Sequence, residues 1–207
     1  MSAEAHNTFS QVEWAAVSRP LPGQTATGDA SLVKSLQEGI LFAVVDGLGH
    51  GLEAAKAAET GLNVLSAQAD SPLISLVNLC HEALRQTRGA VMSLAAIDYH
   101  SERMTWLGVG NVDATLLRAN PQNQPATQSV LQRSGMLGLQ LPALQTDVLP
   151  LGRGDLLIFN TDGIRPDFIQ TIVRSDPCSR IAQRILDNFF KETDDALVLV
   201  ARYHGRA

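Results

Sequence analysis

The sequence has only two cysteines in 207 residues, Cys80 and Cys178. They are too few and too far apart for a disulfide framework, and read as reduced, buried apolar residues of a cytoplasmic protein. No apolar stretch approaches the roughly 18 residues that cross a bilayer. The opening "MSAEAHNTFSQVE" has neither the basic nor the apolar region of a secretory signal. There is no Lys/Arg block and the formal net charge is -5, which argues against a nucleic-acid partner. Repeats and low-complexity linkers are absent too. The expectation is a soluble cytoplasmic protein, with residues 1–8 untied at the N-terminus and a single domain over residues 9–207. A monomer is compatible with the sequence.

Several catalytic signatures are also missing. No Walker-A or G-x-S-x-G segment occurs. Gly47, Gly49 and Gly51 follow an apolar run, but a dinucleotide fingerprint needs glycine at 47, 49 and 52, and Leu52 stands there. "GHG" has no second histidine nearby to make a zinc pair.

What is present is ordinary globular composition, 45% hydrophobic and 18% charged, with two periods alternating in blocks. Helical spacing marks residues 51–68, residues 72–86 with Ser71 as N-cap and Pro72 at the first turn, and "CSRIAQRILDNFF". Strand patterns mark "ILFAVV", "AVMSLAAID", "RMTWLGVG", "ATLLRA", "DLLIFN" and "ALVLVARY". "SRPLPGQTATGDA" reads as a loop, and "ANPQNQPATQS" as the tip of a hairpin. Helices following helices, and strands following strands, suit packed antiparallel sheets with helices outside. Runs apolar at successive positions imply strands covered on both faces.

Against that background the acids stand out. "ILFAVVDG" drives an apolar run into Asp46, and "LLIFNTDG" drives a second into Asp162. "TDDALVLVA" opens a third on Asp194 and Asp195, and Asp29 lies in "TGDASLV". Singly, Asp46-Gly47 and Asp162-Gly163 could be tight turns and Asp194-Asp195 a solvated loop. Gathered at one sheet edge, these carboxylates would have to protonate or hold a cation. An all-oxygen set suits Mg²⁺ or Mn²⁺, and a two-ion site would suit hydrolysis of a phosphate ester.

The ordered series "GD … VVDGLGHG … GVGNV … FNTDG … DDALVLVA" resembles the metal-dependent protein serine/threonine phosphatases (PPM), in particular their bacterial SpoIIE-like branch. The compact size and "RGAVMSLAAID" are similar to branch members that act on stressosome proteins. The resemblance runs from about Val12 to Tyr203. It implies an α+β fold, a four-layer αββα sandwich with central antiparallel sheets. Where residues match, it also implies Asp46 bridging two Mn²⁺ or Mg²⁺ ions, the Gly47 carbonyl completing one coordination sphere, and Asp162 and Asp194 holding the ion shared with Asp46. Asp29 would lie near the second ion, and Asp194 rather than Asp195 matches the family's ligand.

The implied activity is removal of phosphate from phosphoserine or phosphothreonine on a STAS-domain regulator of stress signalling. The sequence departs from the family at Leu48, where eukaryotic members carry histidine, and at Leu197, where a hydroxyl residue is common. Those departures leave a second reading open, a silent phosphatase-fold module that binds a phosphorylated partner; a small-molecule phosphohydrolase is a third. His50, two residues after Leu48, reads as an exposed residue before a helix. Arg19 and Arg165 are phosphate-binding candidates by rough location only. The loop "QRSGMLGLQLPALQ" offers apolar residues for partner docking, or simply packs on the domain.

Overall fold

The computed structural model describes residues 3–8, 11–120, 122 and 125–206. Among the described residues, twelve strands form two sheets. In chain order they are β1 (Ala3–Thr8), β2 (Val12–Arg19), β3 (Asp29–Leu36), β4 (Gly39–Gly47), β5 (Ala90–Asp98) and β6 (Arg103–Val109). There follow β7 (Asp113–Leu117), β8 (Thr127–Ser129), β9 (Gln132–Arg133), β10 (Asp147–Pro150), β11 (Leu156–Asn160) and β12 (Ala196–Tyr203). The first sheet runs β1-β2-β12-β11-β7-β8 and the second β10-β6-β5-β4-β3, with β9 parallel on β6. Helices α1 (Leu52–Ala67) and α2 (Leu73–Leu84) cover the second sheet, and α3 (Cys178–Phe189) covers the first.

Strand alternation builds the layers. In β4, Ile40, Phe42 and Val44 enter the core between the sheets, while Leu41, Ala43 and Val45 meet α1 and α2. In β12, Leu197, Leu199 and Ala201 face the other sheet, and Ala196, Val198 and Val200 meet α3. The expected four-layer αββα sandwich, with strands covered on both faces, is the architecture observed. Leu76, Val77, Cys80 and Leu84 form the buried face of α2, as their spacing requires. Gly61 lets α2 close in on α1: the Cys80 thiol lies 3.7 Å from the Gly61 carbonyl. Both cysteines are free and buried, and burial pushes each thiol up to about 12.

Four local expectations change. Ala3–Thr8, expected untied, pairs antiparallel with β2. Ser18 and Arg19 belong to β2, and Asp29 opens β3 rather than ending a loop. Pro72, not Ser71, occupies the N-cap of α2, without a side-chain cap bond. Asp46-Gly47 makes no turn; the pair ends β4, opposite Val91 and Ala90 of β5. The hairpin over "ANPQNQPATQS" is present as β7 against β8, although 121, 123 and 124 at its tip lie outside the described residues. Among the described residues, no helix is long and apolar enough to cross a membrane.

Candidate metal centre

The period of two that puts Ile40, Phe42 and Val44 between the sheets puts Asp46 on the same face, at the end of β4. Asp29 stands directly opposite Asp46 in the β3–β4 ladder. From the other sheet, Thr161 and Asp162 follow the end of β11, and Asp194 and Asp195 precede β12. The two sheets therefore bring all five acids to one end of the sandwich.

Their electrostatics show the crowding. Burial, then the charges of Asp162, Asp194 and Asp195, push the Asp46 carboxyl up to about 8. Asp29 is also raised, by burial and then by Asp46, a shift the Thr161 hydroxyl partly opposes. Asp162 is raised by partial burial and by Asp194, with Lys191 and Asn111 acting the other way.

Four of the five acids have a distinct anchorage. The Thr161 hydroxyl donates to Asp29 at 2.7 Å, and accepts the Leu197 N–H at 2.9 Å. Asn111 donates to the Asp162 carboxylate at 2.7 Å, and the Lys191 ammonium donates to the Asp162 carbonyl. Asp195 is buried and accepts the backbone N–H groups of Leu21 at 2.7 Å and Gly28 at 2.6 Å. Its carboxylate thus closes the segment between β2 and β3 onto the site. The Asp194 side chain accepts the Asp195 N–H at 2.8 Å.

Gly47 is fixed by packing: a Cβ there would lie 2.1 Å from the Ala54 carbonyl oxygen of α1. Its N–H donates to the Gly28 carbonyl, joining β4 to the segment that Asp195 clamps. Asp162-Gly163 does sit in a turn, closed by the Ile164 N–H on the Thr161 carbonyl at 3.1 Å. The turn and the clustered acid are therefore one feature, not alternatives.

The other candidates stand apart. His50 is exposed in the turn before α1. Arg165 donates to the Asn188 carbonyl at 2.6 Å and lies over the Phe189 ring. Arg19 pairs with Asp187 at 2.7 Å and lies over Phe190. Asn111, Thr161 and Lys191 were not singled out by sequence. Thr161 and Asn111 fall inside quoted motifs, whereas nothing around Lys191 marks it.

The donor set is all oxygen, and its negative charge exceeds what Lys191 offsets, which is the chemistry that hard divalent cations relieve. Among the described residues, no three acidic, histidine or cysteine side chains converge closely enough to enclose an ion as they stand. Ligation therefore needs side-chain adjustment around the fixed strand ends.

A double sheet flanked by helices, with carboxylates at the strand ends, is the arrangement that the resemblance to the PPM phosphatases implies. The model of the family described as Stage II sporulation protein E (SpoIIE) matches residues 37–204, and the chain belongs to that family. It is 24% identical over 183 residues to the phosphoserine phosphatase RsbX of Bacillus subtilis (strain 168), covering 87% of this chain and 89% of that protein. A solved structure of RsbX in complex with magnesium superposes with a TM-score of 0.86 at 21% identity, over 97% of this chain and 100% of that one. A chain from work on the bacterial stressosome, described as a modular system adapted to control secondary messenger signalling, superposes at 0.85 with 31% identity. That match covers 93% of this chain and 100% of the other.

Proposed function

We propose that this phosphatase hydrolyses phosphoserine or phosphothreonine on a STAS-domain regulator of a stressosome-type pathway, using two Mn²⁺ or Mg²⁺ ions. The observation that carries the reading is the meeting of Asp29, Asp46, Asp162 and Asp194 where the two sheets end, with the carboxyls of Asp29, Asp46 and Asp162 raised by burial and then by mutual charge. The likeness to RsbX, named for phosphoserine, supports the substrate class.

Asp46, the Gly47 carbonyl, Asp162 and Asp194 would hold the ions, with Asp29 beside the second. Bound there, the ions would activate water and neutralise charge on the phosphoryl group. The protein's own part is positional. Thr161 aims Asp29, Asn111 and Lys191 fix Asp162, and Asp195 holds the 20–28 segment against the Asp46–Gly47 strand end.

One observation weighs against the silent-module alternative. Leu197 is buried in the inter-sheet core while Thr161 bonds its N–H, so a hydroxyl is present beside that position despite the departure. That weakens the case for a silent module. Phosphate release from a phosphorylated STAS-domain protein, with Mn²⁺ present and then chelated, tests the function. Release unaffected by chelation, or none with any divalent cation, overturns it.

A further inference from the structure

An open groove of about 380 Å³ lies between residues 20–24 and the pair Phe190 and Glu192. Both of its walls are bonded to the acid cluster. On one, the Leu21 N–H donates to the Asp195 carboxylate at 2.7 Å, and the Gln24 N–H closes a turn on the Leu21 carbonyl at 2.9 Å. On the other, the Lys191 N–H donates to the Gly163 carbonyl at 2.9 Å, and its ammonium donates to the Asp162 carbonyl. Phe190 bridges Ile164 in the same segment. The groove is thus tied to Asp195 on one side and to the Asp162 turn on the other. A chain whose phosphoserine sits at the carboxylates has it as a neighbour.

Its lining divides by chemistry. Pro20, Leu21, Pro22 and the Phe190 ring are apolar. The charge of Arg19 is taken up by Asp187 at 2.7 Å and by the face of Phe190. That leaves Glu192. It is exposed, and among the described residues its carboxylate has no hydrogen-bond or ion-pair partner.

The backbone at Glu192 adds a second observation. Its φ is +61°, in the left-handed region that suits glycine and strains a residue with a side chain. The Lys191 bonds before it and the Asp195 clamp after it hold the chain in that shape. Strain held in place by its surroundings clusters at ligand-binding segments.

We infer that this groove takes the stretch of substrate flanking the phosphorylated residue. An apolar side chain of that stretch rests on Leu21 and Phe190, and a lysine or arginine beside it pairs with Glu192. The inference deepens the phosphatase reading and rests on it. The ions would recognise phosphate alone, whereas the groove recognises the sequence around it.

The test uses wild type, Glu192→Gly and Glu192→Lys, all saturated with Mn²⁺. Glycine suits the left-handed backbone as it removes the carboxylate, so its Tm is expected to stay near that of wild type. Each protein is given phosphoserine peptides with a leucine–lysine pair before the phosphoserine or after it, and the same peptides with glutamate replacing lysine. Wild type is expected to prefer lysine about three- to tenfold in kcat/KM, on one side of the phosphoserine only. That preference should vanish in Glu192→Gly and invert in Glu192→Lys. Replacing the leucine by serine on that side should lower wild-type kcat/KM severalfold.

A lysine preference equal on both sides would report only the general field of an acidic chain, and overturns the inference. So does a preference that the Glu192 variants leave unchanged, or a leucine that can be replaced without effect. If wild type hydrolyses none of the peptides, the phosphatase reading fails instead. Affinities of the same peptides, read by fluorescence anisotropy, then decide the groove by the same comparisons.

Discussion

Thr161 and Asp29 join the two sheets by a buried side-chain bond, the Thr161 hydroxyl donating to the Asp29 carboxylate at 2.7 Å. Because Asp29 pairs with Asp46 and Thr161 leads into Asp162, this bond sets the spacing between acids of the two sheets. The same hydroxyl accepts the Leu197 N–H, so three strand ends meet on one oxygen.

Thr161→Val keeps the shape and removes the hydroxyl. It leaves a buried carboxylate and a buried N–H without this partner, at a cost of about 1–3 kcal/mol. Denaturant unfolding should show that loss, with Thr161→Ser closer to wild type. A valine variant as stable as wild type would show that the bond contributes nothing.

Asp46→Asn is expected to abolish turnover while the fold is retained. In metal-free protein it should also raise Tm, since one clustered negative charge disappears. The gain depends on pH. The Asp46 carboxyl holds its proton more tightly folded, at about 8, than at its ordinary 3.8. Its ionisation therefore costs stability increasingly as pH rises between those values, and costs nothing below them. The Tm gap between variant and wild type should widen from pH 3.8 to about 8 and level off above. A gap constant with pH, or wild-type turnover in the variant, counts against the assignment.

Asp194 and Asp195 separate by what they hold. Asp195→Ala removes the acceptor of two backbone N–H groups, so Tm should fall and amide exchange in residues 20–28 should quicken. Asp194→Ala should weaken Mn²⁺ affinity more sharply, with little change in Tm. Inverted metal affinities in the two variants would show Asp195 to be the ligand.

The sequence made much of this site legible, for a physical reason. An apolar run covered on both faces obeys a period of two, and that period alone carries Asp46 to the inter-sheet face after Ile40, Phe42 and Val44. The role of Asp195 was illegible because its partners are backbone N–H groups more than 160 positions away, which leave no mark in residue type. The strand β2, "VEWAAVSR", was hidden by its mixed polarity. Charged Glu13 at its start is satisfied by Arg202, another distant partner.

His50 is exposed, and its removal should leave most activity. His50→Ala is expected to lower kcat by less than about tenfold, below the 10²–10⁴ contribution of a general acid or base. A thousandfold fall with Mn²⁺ affinity intact would assign it a proton-transfer role.

Substrate selection must come from beyond the phosphoryl group, which every phosphoserine shares. The loop of residues 132–145 divides its apolar residues between two tasks. Leu137 is buried and exchanges backbone bonds with Ala90, and Gly138 donates to the His81 ring at 3.0 Å, so part of the loop packs on the domain. Leu139 remains 59% exposed and, like Leu48, lies against Gly89, beside the chain that leaves the end of β4. A folded partner seated over the site would cover Leu139, whereas a short phosphopeptide need not reach it. A folded phosphorylated STAS domain should therefore show a much higher kcat/KM than a phosphopeptide copied from it. Leu139→Glu should shrink that advantage at least severalfold, leaving peptide turnover and Tm unchanged. Equal kcat/KM for domain and peptide in the wild type would rule out docking at this loop.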